Sequence, residues 1–512
     1  MARYKETEKA QGLFLNVNLY EQIIPGTFEY TLNFLIDKKL DLSIFDRKYN
    51  NDYTGAPAIQ PKILLKIIIY CYQMGIISSR KIAKLCQNHM IVKALAEDLE
   101  PHYTTISDFV SGMDNEIEKV FSEVVLVCGE MGLIKGKQYA EDGVRLPSSA
   151  SKEWSGTKEE LQKKYDKIKK ICGEIIEKHK SNDRLGIKEK DEDEKKLERL
   201  EKKAEKILDF LETHEDRRGA GGEIIKSNIT DNESGTIKGP HGIIQGYNGI
   251  AVTDSKNQVI VAAKAYGSVY EGQYFPEMLE KTERSMREVK GKENPLKGAI
   301  ILADTDYFSE DNLQAAKAKE MEAVIPDEQY RNRDEQLKEG ERREGKERMD
   351  ARYFKYVEKG NYYICPNGKI LSYRKKVRLN RNEGKKYESK ASDCAGCPYL
   401  DKCIHSKRKQ NKKYRTLFIP VLKYEENLCQ KMREKIDTPR YKKLYSRRMG
   451  IVEPVFADIT YCKGITRFTL RTQKKVNIQW LLYCVVHNIG KYNKAENLEK
   501  GKRKGVKMKI AA

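Results

Sequence analysis

Apolar residues along this chain change period several times, and each change predicts a different element. From residue 12 to about 130 the pattern is helical. PKILLKIIIYCYQMGI crowds its apolar residues together, as a buried helix does. SSRKIAKLCQNHMIVKALA follows, with Ser78 or Ser79 as N-cap, and HYTTISDFVSGMDNEIEKVFSEVVLV is amphipathic, with Thr104 or Thr105 as its cap. Residues 157–215 keep the helical period but are densely charged. TKEELQKKYDKIKKICGEIIEKHK and EKDEDEKKLERLEKKAEKILDFLETHE, separated by SNDRLGIK, predict two antiparallel helices. The pattern then becomes that of strands. IIQGYNGIAVTD and NQVIVAAKAYG, joined by DSKN, predict a β-hairpin. EGQYFPEMLEKTERSMREV predicts a helix, and KGAIILAD a continuously apolar strand covered on both faces. SEDNLQAAKAKEM is a further helix, capped by Ser309, and EAVIPD a short strand.

With the charged helix pair set aside as an insertion, the order from Lys137 is strand, hairpin, helix, strand, helix, strand. This predicts an α/β fold around a mixed sheet, whose ligands gather beyond the carboxyl ends of strands. Asp142, in KQYAEDG, and Asp304, closing KGAIILAD, both fall at predicted strand ends. If their strands are neighbours, the two carboxylates can share a metal. Next, QYRNRDEQLKEGERREGKERMDAR is polar and reads as a mobile loop, and residues 353–420 hold short aromatic strands and several cysteines. The chain is helical again from Tyr441 and closes with TQKKVNIQWLLYCVVHNIGKY, in which Trp480 and His487 read as packing residues. EKGKRKGVKMKIAA is expected to be a disordered basic tail able to touch phosphates. The predicted units are a helical segment at 1–130 and a core at 131–330 with the helical insertion at 152–220. A cysteine-containing β subdomain at 331–440, core helices at 441–492 and the tail at 493–512 complete them.

Charge narrows the partner. The 97 Lys and Arg against 76 Asp and Glu give a net charge of +21, which favours a polyanion such as nucleic acid. The short N-terminal helices fit a helix-turn-helix-like DNA reader or a plain packing domain. The charged arm at 157–215 fits a contact with DNA, a contact with a second subunit, or a solvated surface. MARYKETEKA has no apolar core behind it, so no signal peptide is expected. ILLKIIIYC and WLLYCVV are too short to span a bilayer. Eleven cysteines over 512 residues do not make a disulfide framework, and those in apolar runs, such as Cys71 and Cys484, read as core. A cytoplasmic chain with reduced thiols is expected, without a membrane partner.

DCAGCPYLDKC clusters Cys394, Cys397 and Cys403, with Cys365 upstream in YYICPNGK. A Cys-x-x-Cys pair offers two thiolates from one turn, and Cys403 and Cys365 could complete a closed, structural Zn²⁺ site. His405 competes as the fourth ligand. The other reading is reduced cysteines packed in a small β subdomain.

Carboxylates are hard oxygen ligands, and Mg²⁺ needs only one or two per ion. Two such ions can stabilise both the attacking and the leaving oxygen of a phosphoryl displacement. A third acid, Glu453, opens EPVFADI. On this arrangement the chain resembles the DDE transposases of bacterial insertion sequences, which have an RNase H-like catalytic core. The resemblance rests on PHYTTISDF, AEDGVRLPSSASKEW, SNITDNESG, QGYNGIAVTD, ILADTDYFSEDNL, AVIPD, YSRRMGIVEPVF, ITRF and WLLYCVVHNI, in that order. It implies Asp142, Asp304 and Glu453 as the catalytic acids holding Mg²⁺ or Mn²⁺, with Asp306 at most a supporting acid. It also implies Tyr445 and Arg448 as residues gripping the DNA end. The Lys that accompanies them in the family falls at Thr460 here, and Lys463 is the nearest replacement. The implied partner is double-stranded DNA, both element ends and target, held by a homodimer that is nucleoid-associated when bound. The implied chemistry is hydrolysis at the element's end followed by transfer of the 3′-OH to target DNA. A nuclease on the same core, and a catalytically inactive DNA-binding protein, are the alternatives.

Overall fold

The computed structural model describes residues 18–510 except 50–56, 182–186, 220–221, 240–241, 269, 334–348, 350, 380–381, 405–413 and 421–425. His405 and most of the loop expected at 329–352 lie outside the described residues.

Among the described residues six α-helices precede the sheet: α1 (Phe28–Lys38), α2 (Pro61–Gln73), α3 (Ser79–Asn88), α4 (Met90–Leu95), α5 (Tyr103–Gly112) and α6 (Asp114–Glu130). Pro61 starts α2, where its missing N–H costs nothing, and the helix is buried nearly all round, as its apolar run requires. Ser78 does occupy the N-cap of α3, but its side chain makes no capping bond. The expected Thr cap of α5 is replaced by His102, whose ring nitrogen accepts from the Thr104 N–H at 3.5 Å. The amphipathic stretch expected after it breaks at Met113 into α5 and α6.

The central sheet is built from β1 (Gln138–Pro147), β2 (Gly235–Gly239), β3 (Gly242–Asp254), β4 (Ile260–Tyr266), β5 (Ile300–Leu302) and β6 (Glu322–Val324). Its order is β6-β5-β1-β3, with β4 and β2 sharing the far edge of the long β3. β6, β5 and β1 run parallel, whereas β3 is antiparallel to β1, so the sheet is mixed as expected. Between β1 and β2 stand α7 (Lys158–Ser181) and α8 (Ile187–Thr213), packed on each other around Leu161, Ile207 and Phe210. After β4 come α9 (Phe275–Lys290) and, after β5, α10 (Glu310–Ala318), where Ser309 accepts the Asn312 N–H at 3.2 Å as its sequence position promised.

The cysteine region is a separate five-stranded antiparallel sheet: β7 (Lys355–Val357), β8 (Tyr362–Ile364), β9 (Ile370–Leu379), β10 (Asn382–Glu388) and β11 (Thr416–Pro420), in chain order. The chain then returns as α11 (Leu428–Ile436), α12 (Pro439–Ala457) and α13 (Gln473–Ile510). The tail expected to be disordered instead continues α13 to Ile510; its Lys-rich composition favours helix, and an existing helix needs no new nucleus. One hydrophobic core joins α1–α6, the central sheet, α12 and α13. Among the described residues no helix is long and apolar enough to cross a membrane.

Candidate active site

β1 and β5 pair in parallel for three residues, ending with Ala140 opposite Leu302. Two residues beyond that last pair stand Asp142 on one strand and Asp304 after the other, so the two acids sit at the same level. Asp142 is not at a strand end as expected. β1 runs on to Pro147 because β3 keeps pairing with it after β5 has stopped. The carboxylate therefore lies where its strand loses one neighbour.

Both acids are half-buried. Asp142 Oδ2 accepts from Arg448 Nη1 at 2.6 Å, and its Oδ1 accepts from the Gly143 N–H at 2.9 Å. Asp304 caps the short turn Thr305–Tyr307, accepting the Asp306 N–H at 2.9 Å. Burial pushes the Asp304 carboxyl up to about 6, and the charges of Asp142 and Asp306 add to this. Arg448 opposes the rise without cancelling it.

Arg448 is buried on α12, 5.9 Å from the Tyr445 ring, and Tyr445 in turn meets Tyr330 edge to face at 5.4 Å. Arg448 Nε is buried and without a hydrogen-bond partner. Glu453 lies five residues further along the same helix, about 140° around it, and is exposed. Arg448, Val452 and Val455 form the buried face instead. Among the described residues no three His, Cys, Asp or Glu side chains are arranged to hold a metal ion. The structure thus brings Asp142, Asp304 and Arg448 together, with Tyr445 beside them, and does not bring Glu453 to them.

Lys463 is placed elsewhere. It is buried behind the turn Asp458–Cys462 and bonds Asp458, which also accepts from His487 Nδ1 at 2.6 Å. Its ammonium is paired with Asp458 inside the protein. Thr460 turns its hydroxyl back to the Phe456 carbonyl at 2.7 Å. Trp480 and His487 are packing residues, as read, and both are buried.

Sequence reasoning missed a second acidic group on the other face of β1. Glu141 is fully buried, and neither carboxylate oxygen has a partner. Burial, and then Glu271, Asp142 and Asp304, hold its carboxyl well above the ordinary range. Glu271, in the loop before α9, is pushed up to about 7, chiefly by burial. It receives Tyr307 Oη at 3.2 Å and lies 3.4 Å from Arg145 Nη2. Gly143 is the residue that lets these groups approach. A Cβ there would lie 2.5 Å from Asn248 Oδ1 and 2.8 Å from Glu271 Oε2. Alternation along AED does put neighbouring carboxylates on opposite faces of a strand, a signal that could have found Glu141. Nothing local marks Glu271.

Residues 364–493 match the family described as Transposase DDE domain, and residues 17–112 match the Transposase domain (DUF772). Over these two regions the chain belongs to the transposases. The DDE match takes in the four clustered cysteines, Tyr445, Arg448 and Glu453, whereas Asp142 and Asp304 lie between the two matched regions. No curated protein matches the chain.

Proposed function

We propose that this transposase binds double-stranded DNA at the ends of its element, cuts it, and joins it to target DNA, using Asp142 and Asp304 within an RNase H-like core. The observation that carries the reading is the parallel pairing of β1 with β5, which sets these two acids side by side. The mixed sheet and the family of the flanking regions support it.

The residues present fit a divalent ion such as Mg²⁺ or Mn²⁺ in part. Two half-buried carboxylates share one level, and the pressure that lifts Asp304 to about 6 is excess negative charge in a poorly solvated place. Asp142 and Asp304 would hold the ion, which supplies Lewis acidity at a phosphoryl oxygen when bound. Arg448 steadies Asp142, and its unpartnered Nε leaves a donor for a phosphate oxygen. Glu453 completes the set only if α12 turns or shifts against the sheet, and in this reading the DNA end drives that shift by drawing Arg448 off Asp142. Two ends held in one complex call for two copies of the chain. The net charge of +21 supports a DNA partner.

A second reading is favoured by one observation. Arg448 already neutralises Asp142 while Glu453 stands apart, as in a DNA-binding protein that has lost catalysis. Cleavage of DNA carrying the sequences that flank the coding region, with Mg²⁺ or Mn²⁺, separates the readings. Wild type is expected to nick at the element's end. Asp304→Asn should bind the same DNA but cut about a thousandfold more slowly, because several kcal/mol of charge stabilisation are lost. Binding without cutting by wild type would install the inactive reading. Nicking without joining would leave a nuclease.

A further inference from the structure

We propose that Cys365, Cys394, Cys397 and Cys403 form a structural zinc site that pins together the five-stranded sheet. These residues are independent of Asp142 and Asp304, so the proposal stands or falls apart from the catalytic reading.

Two segments of the five-stranded sheet carry the thiols. The first is the β8–β9 turn, Cys365-Pro-Asn-Gly-Lys369. The Cys365 N–H donates to the Lys369 carbonyl and the Gly368 N–H to the Cys365 carbonyl, both at 2.8 Å. Gly368, at a φ of +73°, allows the chain to close this tightly. The closure aims the Lys369 N–H at Cys365 Sγ, 3.2 Å away.

The second segment joins β10 to β11 through two short turns, Ala391–Cys394 and Leu400–Cys403. The Cys397 N–H reaches the Cys394 carbonyl at 3.3 Å, so these two cysteines share one turn, with Gly396 at a φ of +70° between them. Ser389 Oγ lies 3.2 Å from Cys394 Sγ. Ser389 Oγ also accepts the Arg415 N–H at 2.9 Å, and Arg415 Nη1 donates to the Cys403 carbonyl at 2.5 Å, which links the Cys394 and Cys403 turns. Four cysteine thiolates in a closed tetrahedron are what Zn²⁺ takes at a structural site. All four are free. As placed, no three of them are arranged to hold a metal ion; rotation about χ1 is the movement available to bring them to one.

The sheet also needs a fastening. Among the described residues its own core cluster holds only Phe354, Leu371, Tyr387 and Leu417 as buried apolar residues, with Met349, Tyr363, Cys365, Cys403 and Ile419 packed against them. Small units with so little apolar burial commonly depend on a metal or disulfides.

The test is the zinc content of the full chain, purified with reductant and without chelator. Wild type should carry about one zinc per chain. Cys397→Ser and Cys403→Ser should each lose most of it, while Cys462→Ser, at an exposed site elsewhere, keeps it. Because a serine variant can simply misfold, wild type is also exchanged with Co²⁺. Intense tetrahedral d–d bands with a thiolate-to-cobalt charge-transfer band are expected. Zinc-free wild type that gives no such bands, or zinc retained in both serine variants, overturns the proposal.

Discussion

Glu271 and Asp304 carry carboxyls lifted to about 7 and about 6, against about 4 in an unfolded chain. Between those values the folded chain holds more protons than the unfolded one, so stability is full below about pH 4 and falls as pH rises through 6 and 7. His487 works the other way, since burial pushes its imidazole down and the folded state gains as pH approaches about 6.5. The comparison of wild type with Glu271→Gln isolates the carboxyl. Without added metal, the Tm advantage of Glu271→Gln should grow by several degrees from pH 4 to 7.5; a constant difference would show that Glu271 does not titrate in that window. At this scale the sequence was only partly legible. Asp304 was visible because it closes an apolar strand run, and Asp142 as an acid in a strand that in fact runs on past it to Pro147; the parallel register sets the two at one level. Lys463 is paired in the fold with Asp458, a partner that spacing along a helix does not reveal. Glu453 was placed by motif, and motif does not report which side of α12 faces the sheet.

Elements whose signals are local were legible: the α7–α8 pair, the β3–β4 hairpin, and α10 with its Ser309 cap. The five-stranded sheet was legible as short aromatic strands beside the cysteines, but not its strand bounds or order, because strands such as β7 and β8 have three residues each and no measurable period. One of its hairpins invites a test. Across β9 and β10, Lys375 stands opposite Lys386, and Lys376 opposite Lys385. Like charges directly opposite destabilise a ladder. Among the described residues only Lys386 of these four has a carboxylate partner, Glu388 at 2.6 Å. Lys375 and Lys376 are exposed and Lys385 half-exposed, which suits a phosphate backbone as the missing counter-charge. The double change Lys376→Ala with Lys385→Ala should weaken binding to any duplex and reduce the salt slope of log K by about 2. An unchanged slope would remove this hairpin from the DNA surface.

Across the whole molecule α13 acts as the spine. It packs on α1, α2, α5 and α6 and on β3 and β4. Asn488 accepts the Ile260 N–H at 2.9 Å and returns a bond to the Ile260 carbonyl at 2.8 Å, and Asn477 accepts the Ala265 N–H at 3.0 Å. Side chains of α13 thereby satisfy the open edge of β4, which would otherwise invite another strand. Trp480 lies on β3 at Gly249, where a Cβ would come within 2.8 Å of its ring. Gly249→Ala should cost about 1–3 kcal/mol through overpacking. Denaturant unfolding should still show one transition for helices and sheet together, and two transitions would break the single-core description. The sequence showed a buried helix at 473–492 but not what it joins, because long-range contacts leave no local trace. The ion pair between Arg448 and Asp142 has a further consequence in time. During synthesis, at about 5–20 residues per second, Asp142 and Asp304 leave the ribosome many seconds before Arg448 does. A nascent or prematurely terminated chain therefore presents the two acids without their guanidinium, and only the finished polypeptide can balance them.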